Sequence, residues 1–286
     1  MSLRGRYVIA GVGHTAFGKL PGSDTVSLNV EACRGALADA RVDKSVVDAV
    51  FVKVPTSAHQ FMFGQKVAEA LGIAPRMGGA WDQGGAANVT LISFAIMAIE
   101  AGQCEVALIC YADNPRSGSR AVYGRPRGDD AAYGWLSTAA GYAMIHRRHV
   151  IEHGTRPEHF GAVALACRRH GAGNPNAQLR SPLTMDAYLS SPWVVDPLRR
   201  DDCALVSDGA AALVVMSASA RASSACRSRC RCSASGTDRH RSSCRSARRS
   251  RAPRRRARRV PRSRWPAWGR RTSTSPSSTT ASRSPC

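Results

Sequence analysis

Over its first 220 residues this sequence predicts an α/β fold built on a mostly parallel sheet. Apolar runs that end in turn residues alternate with helix-length segments, which is the pattern of strands joined by helices. One of those helices, residues 86–101, is apolar on nearly every side through Leu91, Ile92, Phe94, Ile96, Met97 and Ile99. A helix with no wet face is expected to be buried on all sides. A third observation limits the domain: residues 221–286 hold 20 Arg, a single acid (Asp238) and no Leu, Ile, Met, Phe or Tyr.

The elements follow in order. Residues 7–11 form a short apolar run ending in glycine, a first strand. Residues 27–41 place Leu28, Val30, Ala32, Leu37 and Ala40 at helical spacing, and residues 46–54 alternate as a strand. Phe63–Leu71 is helical and closed by Gly72. The turn Trp81-Asp82-Gln83-Gly84-Gly85 introduces the apolar helix, and residues 105–111 form the strand after it. Residues 112–133, rich in Gly, Arg, Pro and Asp, read as a long loop of the kind that carries function or contacts. Two helices follow at Thr138–His153 and 157–170. An extended piece comes next at 193–197, then the turn Ser207-Asp208-Gly209 and a last strand at 210–216.

The chain divides accordingly into a folded region, 1–220, and an Arg/Ser/Pro-rich tail, 221–286. With high net charge and almost nothing apolar to bury, the tail is expected to be disordered. The formal charge of +21 belongs almost wholly to the tail, because the first 220 residues carry 21 basic against 19 acidic groups. A near-neutral body argues against a nucleic-acid partner. The five body cysteines, Cys33, Cys104, Cys110, Cys167 and Cys203, form no C-x-x-C pair. They read as small packed residues in a reducing cytoplasm, with no metal site. No signal peptide is visible, and the apolar stretch 89–99 is too short to span a bilayer, so no membrane partner is expected.

Several separated stretches carry a family resemblance. They are residues 11–19, Ala98-Ile99-Glu100-Ala101-Gly102, residues 142–148 with Asn174-Pro175, and above all residues 188–198 running into Asp202-Cys203 and 207–215. In this order they resemble the thiolase superfamily, in particular its sterol-carrier or lipid-transfer branch. The match covers residues 5 to about 216, the first of the two similar halves of a full thiolase plus its loop region. It implies a layered αβα thiolase fold and a homodimer, joined in relatives of this branch by an accessory small subunit.

The resemblance also implies a nucleophilic Cys at the head of the buried helix, where unpaired N–H groups and the helix dipole favour a thiolate. Counting back from Ala98 to Gly102 puts that position at Gly85, which has no thiol. A Cys-free branch, the lipid-transfer-like aldolases that shorten steroid side chains, looks like this. Its retro-aldol cleavage of a β-hydroxyacyl-CoA needs a base and a hydrogen-bonding pocket for the enolate oxygen, but no covalent acyl-enzyme. Gly84 and Gly85 then give the thioester of the coenzyme A substrate access to backbone N–H groups; no bound cofactor is implied.

The second-half thiolase motifs are missing from the tail, which reads as an out-of-frame translation of a GC-rich gene. A one-base shift over residues 272–286, with permitted wobble bases, gives DVDVAQLYDSFTITV, similar to the thiolase second-half motif with Tyr in place of His; over 264–270 it allows AMAGMGP. Other patterns carry less. Gly11-x-Gly13-x-x-Ala16 fits a loose dinucleotide pattern, but Gly18, Pro21 and Gly22 forbid the helix that would hold a pyrophosphate. His146, His149 and His153 share a helix face, which reads as a solvated basic face near a helix end. Three readings stay open beside the lyase: an acetyl-CoA acyltransferase, which the residue at 85 argues against; a half-chain without catalysis, the reading preferred for this polypeptide by itself; and an Arg-rich nucleic-acid binder.

Overall fold

The computed structural model describes residues 3–119 and 128–222. Beyond Ala222 the tail expected to be disordered lies outside the described residues, as do residues 120–127 of the long loop. The elements are β1 (Tyr7–His14), α1 (Thr25–Ala40), β2 (Ala49–Lys53), α2 (Phe63–Leu71), β3 (Met77–Trp81), α3 (Ala87–Glu100), β4 (Val106–Asp113), α4 (Thr138–His153), α5 (Pro157–Ala172), α6 (Met185–Leu189), β5 (Trp193–Val195), β6 (Leu198–Arg199) and β7 (Gly209–Ser217). Five strands form one sheet in the order β1-β7-β4-β2-β3, and β5 pairs with β6 in a separate hairpin. Helices α1 and α2 pack on one face of the large sheet and α3 on the other, giving three layers.

The sheet is mixed rather than mostly parallel. β2 runs parallel to β3 and β4, whereas β7 is antiparallel to both β1 and β4. Alternation of strand and helix sets direction only where a single helix makes the crossover. Between β4 and β7 the chain instead makes the excursion 114–208 and re-enters at the edge from which it left. β2 departs from expectation too. All five of its positions are buried, without alternation, because it lies between two strands and under helices on both faces.

Local chemistry places the helices. Asp24 starts α1: its carboxylate accepts from Ser27 N at 2.7 Å while Ser27 Oγ accepts from Asp24 N at 3.0 Å, a capping box. Ala32, Ala36 and Ala40 recur every fourth residue on the face of α1 that meets β1. A Cβ at Gly11 would strike the Ala36 carbonyl and Ala40, and one at Gly13 the Ala32 carbonyl, so this glycine pair serves close packing of strand on helix. α3 buries Ala87, Leu91, Ala95 and Ala98. Its other flank is not covered by the described residues: Val89 is 70% exposed and Met97 56%. The expectation of burial on all sides is therefore corrected to burial on one.

The excursion is held by Tyr188, fully buried, whose hydroxyl donates to both oxygens of Asp202 at 2.9 and 3.1 Å. Arg168 pairs with Asp201 at 3.0 Å, joining α5 to the same turn. Residues 188–203, the stretch with the strongest resemblance, thus form a packing hub. Among the described residues no helix is long and apolar enough to cross a membrane.

Candidate active site

β2, β3 and β4 share one direction, so their carboxyl ends lie at one edge of the sheet, where α3 begins. Ligands of open α/β sheets bind outside such carboxyl ends. Gly84 and Gly85 sit there, exposed, between β3 and the first turn of α3. Gly84 takes a left-handed conformation (φ 55°), and its N–H donates to Asp82 Oδ1 at 3.0 Å. A Cβ added at either glycine would meet nothing within 4 Å among the described residues, so on their side the space over the helix head is open. The residue preceding the helix, Ala86, offers no side-chain cap. The Ala87 N–H donates to the Gly84 carbonyl at 3.3 Å and the Thr90 N–H to the Ala86 carbonyl at 3.1 Å, which leaves, among the described residues, the N–H groups of Asn88 and Val89 for an outside acceptor at the positive end of the helix dipole. In that turn Asn88 Oδ1 is buried and has no hydrogen-bond partner among the described residues.

The same edge carries polar residues that the sequence reading passed over. Lys53, the last residue of β2, is only 5% exposed; its Nζ donates to the Val54 carbonyl at 3.1 Å and lies 4.1 Å from the centre of the Tyr111 ring. Burial pushes its ammonium below the ordinary lysine value, while the carboxylates of Asp82 and Asp113 hold it up. Asp113, at the end of β4, accepts from Ser57 N (2.9 Å), Ser57 Oγ, Tyr111 OH (2.8 Å) and Thr56 N (3.1 Å). Burial would raise its pKa, yet these donors hold the carboxyl below the usual range. Asp208 is fully buried and accepts from Leu20 N (2.8 Å), Arg116 N (2.7 Å) and Ser117 Oγ (2.6 Å), stitching three loops along this edge. One signal could have revealed Lys53: it is the single charge in the apolar run 49–54.

The cysteines stand away from the helix head. Cys33, Cys104 and Cys110 are buried; burial pushes the Cys104 thiol up to about 11. Cys203 is half-buried and raised for the same reason. Cys167, expected to be packed, is exposed on α5. On α4, His149 and His153 are exposed as expected of a solvated face, and only His146 departs from it. His146 is buried, with its ring 3.5 Å from that of Phe160, and His149 Nδ1 lies 2.9 Å from Thr155 Oγ1. Among the described residues no three His, Cys, Asp or Glu side chains are grouped so as to hold a metal ion.

No protein-family model matches the chain. It is 37% identical over 230 residues to a steroid side-chain-cleaving aldolase of Thermomonospora curvata, covering 75% of this chain and 58% of that protein. To the 17-hydroxy-3-oxo-4-pregnene-20-carboxyl-CoA lyase of Mycobacterium tuberculosis it is 35% identical over 230 residues, 76% of this chain and 58% of that one. The solved Ltp2-ChsH2(DUF35) aldolase superposes with a TM-score of 0.67 at 36% identity, over 77% of this chain and 58% of that chain. The chain thus spans less than two thirds of the length of these relatives. On its fold and these likenesses together, the chain belongs to the thiolase superfamily, in the branch of sterol-carrier-type thiolases and steroid side-chain aldolases.

Proposed function

We propose that residues 1–220 are the thioester-binding half of a Cys-free carbon–carbon lyase, which cleaves a β-hydroxyacyl-CoA with a steroid side chain as its acyl class. The observation that carries this is the head of α3: two glycines, open space, a helix dipole and no nucleophile. In the reaction a base removes the β-hydroxyl proton and the Cα–Cβ bond breaks, releasing a ketone or aldehyde. The electron pair passes into an enolate on the thioester, whose oxygen the N–H groups near Gly84 and Gly85 receive, and protonation at Cα then gives the shorter acyl-CoA. The proton carrier belongs to the second half, where the shifted reading of 272–286 has a Tyr. Coenzyme A enters as part of the substrate, with no resident cofactor.

We assign the working form to a cytoplasmic homodimer and, by analogy with the solved Ltp2-ChsH2(DUF35) aldolase, add to it a DUF35-type partner subunit. The test uses the protein with its reading frame restored. β-Hydroxyacyl-CoA should yield a carbonyl product and a shorter acyl-CoA while the mass of the enzyme stays unchanged during turnover. An acyl adduct on any cysteine would overturn the reading in favour of acyl transfer.

A further inference from the structure

The lyase reading leaves Lys53 unused, and its placement is unusual. On β2, Ala49 and Phe51 belong to the core under α3, while Val50 and Val52 belong to the opposite core. By that alternation Lys53 lies on the α3 side, at the strand end where α3 begins. Ala107 and Ile109 put Tyr111 on the same side of β4, consistent with the ammonium over its ring. Lys53 also stands directly opposite Trp81, the residue before Asp82. A buried cation has thus been set beside the positive end of a helix. Burial and a like-signed dipole both work against such a charge. The carboxylates of Asp82 and Asp113 offset part of that cost, and an anion in the space between Lys53 and the helix would offset more.

We propose that Lys53 is a positioning residue of the anion site at the head of α3. Its charge holds Asp82, whose Oδ1 receives the Gly84 N–H, and it adds to the helix dipole the field that favours a negative oxygen at the Gly84–Gly85 turn. The proposal rests on the enolate reading above, but the field can be measured whether or not the lyase chemistry is right.

The probe is a thiol in the open space, made by Gly85→Cys in the full 286-residue chain. Its thiolate fraction is read from the pH dependence of alkylation by iodoacetamide, followed by mass spectrometry on the peptide containing position 85. With Lys53 present the thiol should titrate below an ordinary cysteine. Adding Lys53→Met should move that titration up by about one pH unit, a roughly tenfold loss of thiolate at neutral pH, and Lys53→Arg should restore most of it. Alkylation of Cys33 and Cys110 in the same spectra reports unfolding, and Lys53→Gln is the second charge-removing variant. An unchanged titration in a folded Met or Gln variant overturns the proposal. So does failure of both variants to fold, which would make the ammonium a stability element. A shifted titration in this chain together with no lyase activity in the frame-restored protein would leave Lys53 in its role and remove the reaction instead.

Discussion

On the α1–α2 side of the sheet, helix and strand meet so closely that glycine is required. The residues of α1 that face the sheet, Leu28, Ala32, Ala36 and Ala40 among them, are fully enclosed. On the α3 side the inner stripe is equally enclosed, through Leu91 and Ala95 against Phe51 and Ile109, yet the outer flank shows Val89 and Met97 to solvent. Composition already separates the two: α1 carries Glu31, Arg34 and Asp39 on its outer side, whereas α3 has a single charge, Glu100, at its end. The difference is that one side is closed by the described residues, whereas the other leaves an apolar flank that they do not cover.

The sharpest break of this contrast lies on the closed side. Gly13→Val puts a branched side chain where even a Cβ collides with the backbone of α1, and should cost about 3 kcal/mol or more. Loss of the cooperative thermal transition, followed by circular dichroism, is the expected result; an unshifted transition would show that β1 and α1 separate easily.

Within α3 the two flanks should answer differently. Leu91→Ala removes a fully buried side chain and should cost about 2–5 kcal/mol, whereas Val89→Ser should stay within about 0.5 kcal/mol. Denaturant midpoints of the two variants measure the contrast, and equal losses would mean that the outer flank is covered after all. The open flank should also bind a hydrophobic dye, and Val89→Lys with Met97→Lys should lower that fluorescence.

How much of this was legible in the sequence depended on whether local chemistry or distant pairing decided the outcome. Phe63–Leu71 was readable to the residue because Gly72 closes it in the left-handed conformation, and Thr138–His153 because Ser137 and Gly154 cap its ends. β3 was not: Met77-Gly78-Gly79-Ala80-Trp81 has no alternation and two glycines, and it is a strand because β2 pairs with it at five positions. That Gly84 and Gly85 lie just ahead of α3 could be read by counting along the helix. Lys53 could not be joined to them, because what unites them is the pairing of β2 with β3 and the face on which Lys53 falls.

A smaller effect is expected at α4, where the buried His146 ring packs on Phe160. Burial pushes its pKa below the ordinary 6.5; Asp202 and Asp196 pull it up, and His149 and Arg147 push it further down. The neutral ring is therefore the one the fold prefers. Its contribution is complete above the ordinary histidine value and is lost as the pH falls through the lower folded value. The melting temperature should drop between about pH 7 and pH 5, and His146→Gln should flatten part of that drop. A variant with an unchanged pH profile would assign the acid sensitivity to other groups.

The smallest effect is expected where the resemblance to thiolases is most suggestive. Gly85→Cys puts a thiol where the resemblance places the family's nucleophile, at a position whose Cβ meets no described residue within 4 Å, so stability should change by no more than about 0.5 kcal/mol. Thiolytic turnover should still be undetectable in the frame-restored protein. A thiolate at the helix head needs an acid–base partner to move protons to and from the departing carbon, and on the function proposed above that partner is a Tyr where thiolases have His. Without that partner several kcal/mol of transition-state stabilisation are missing, and a better nucleophile cannot replace them. Acetoacetyl-CoA cleavage by coenzyme A, followed at the enolate absorbance, gives the measurement. Turnover from this single exchange would show that the catalytic machinery of acyl transfer is otherwise intact, and that Gly85 alone separates this chain from a thiolase.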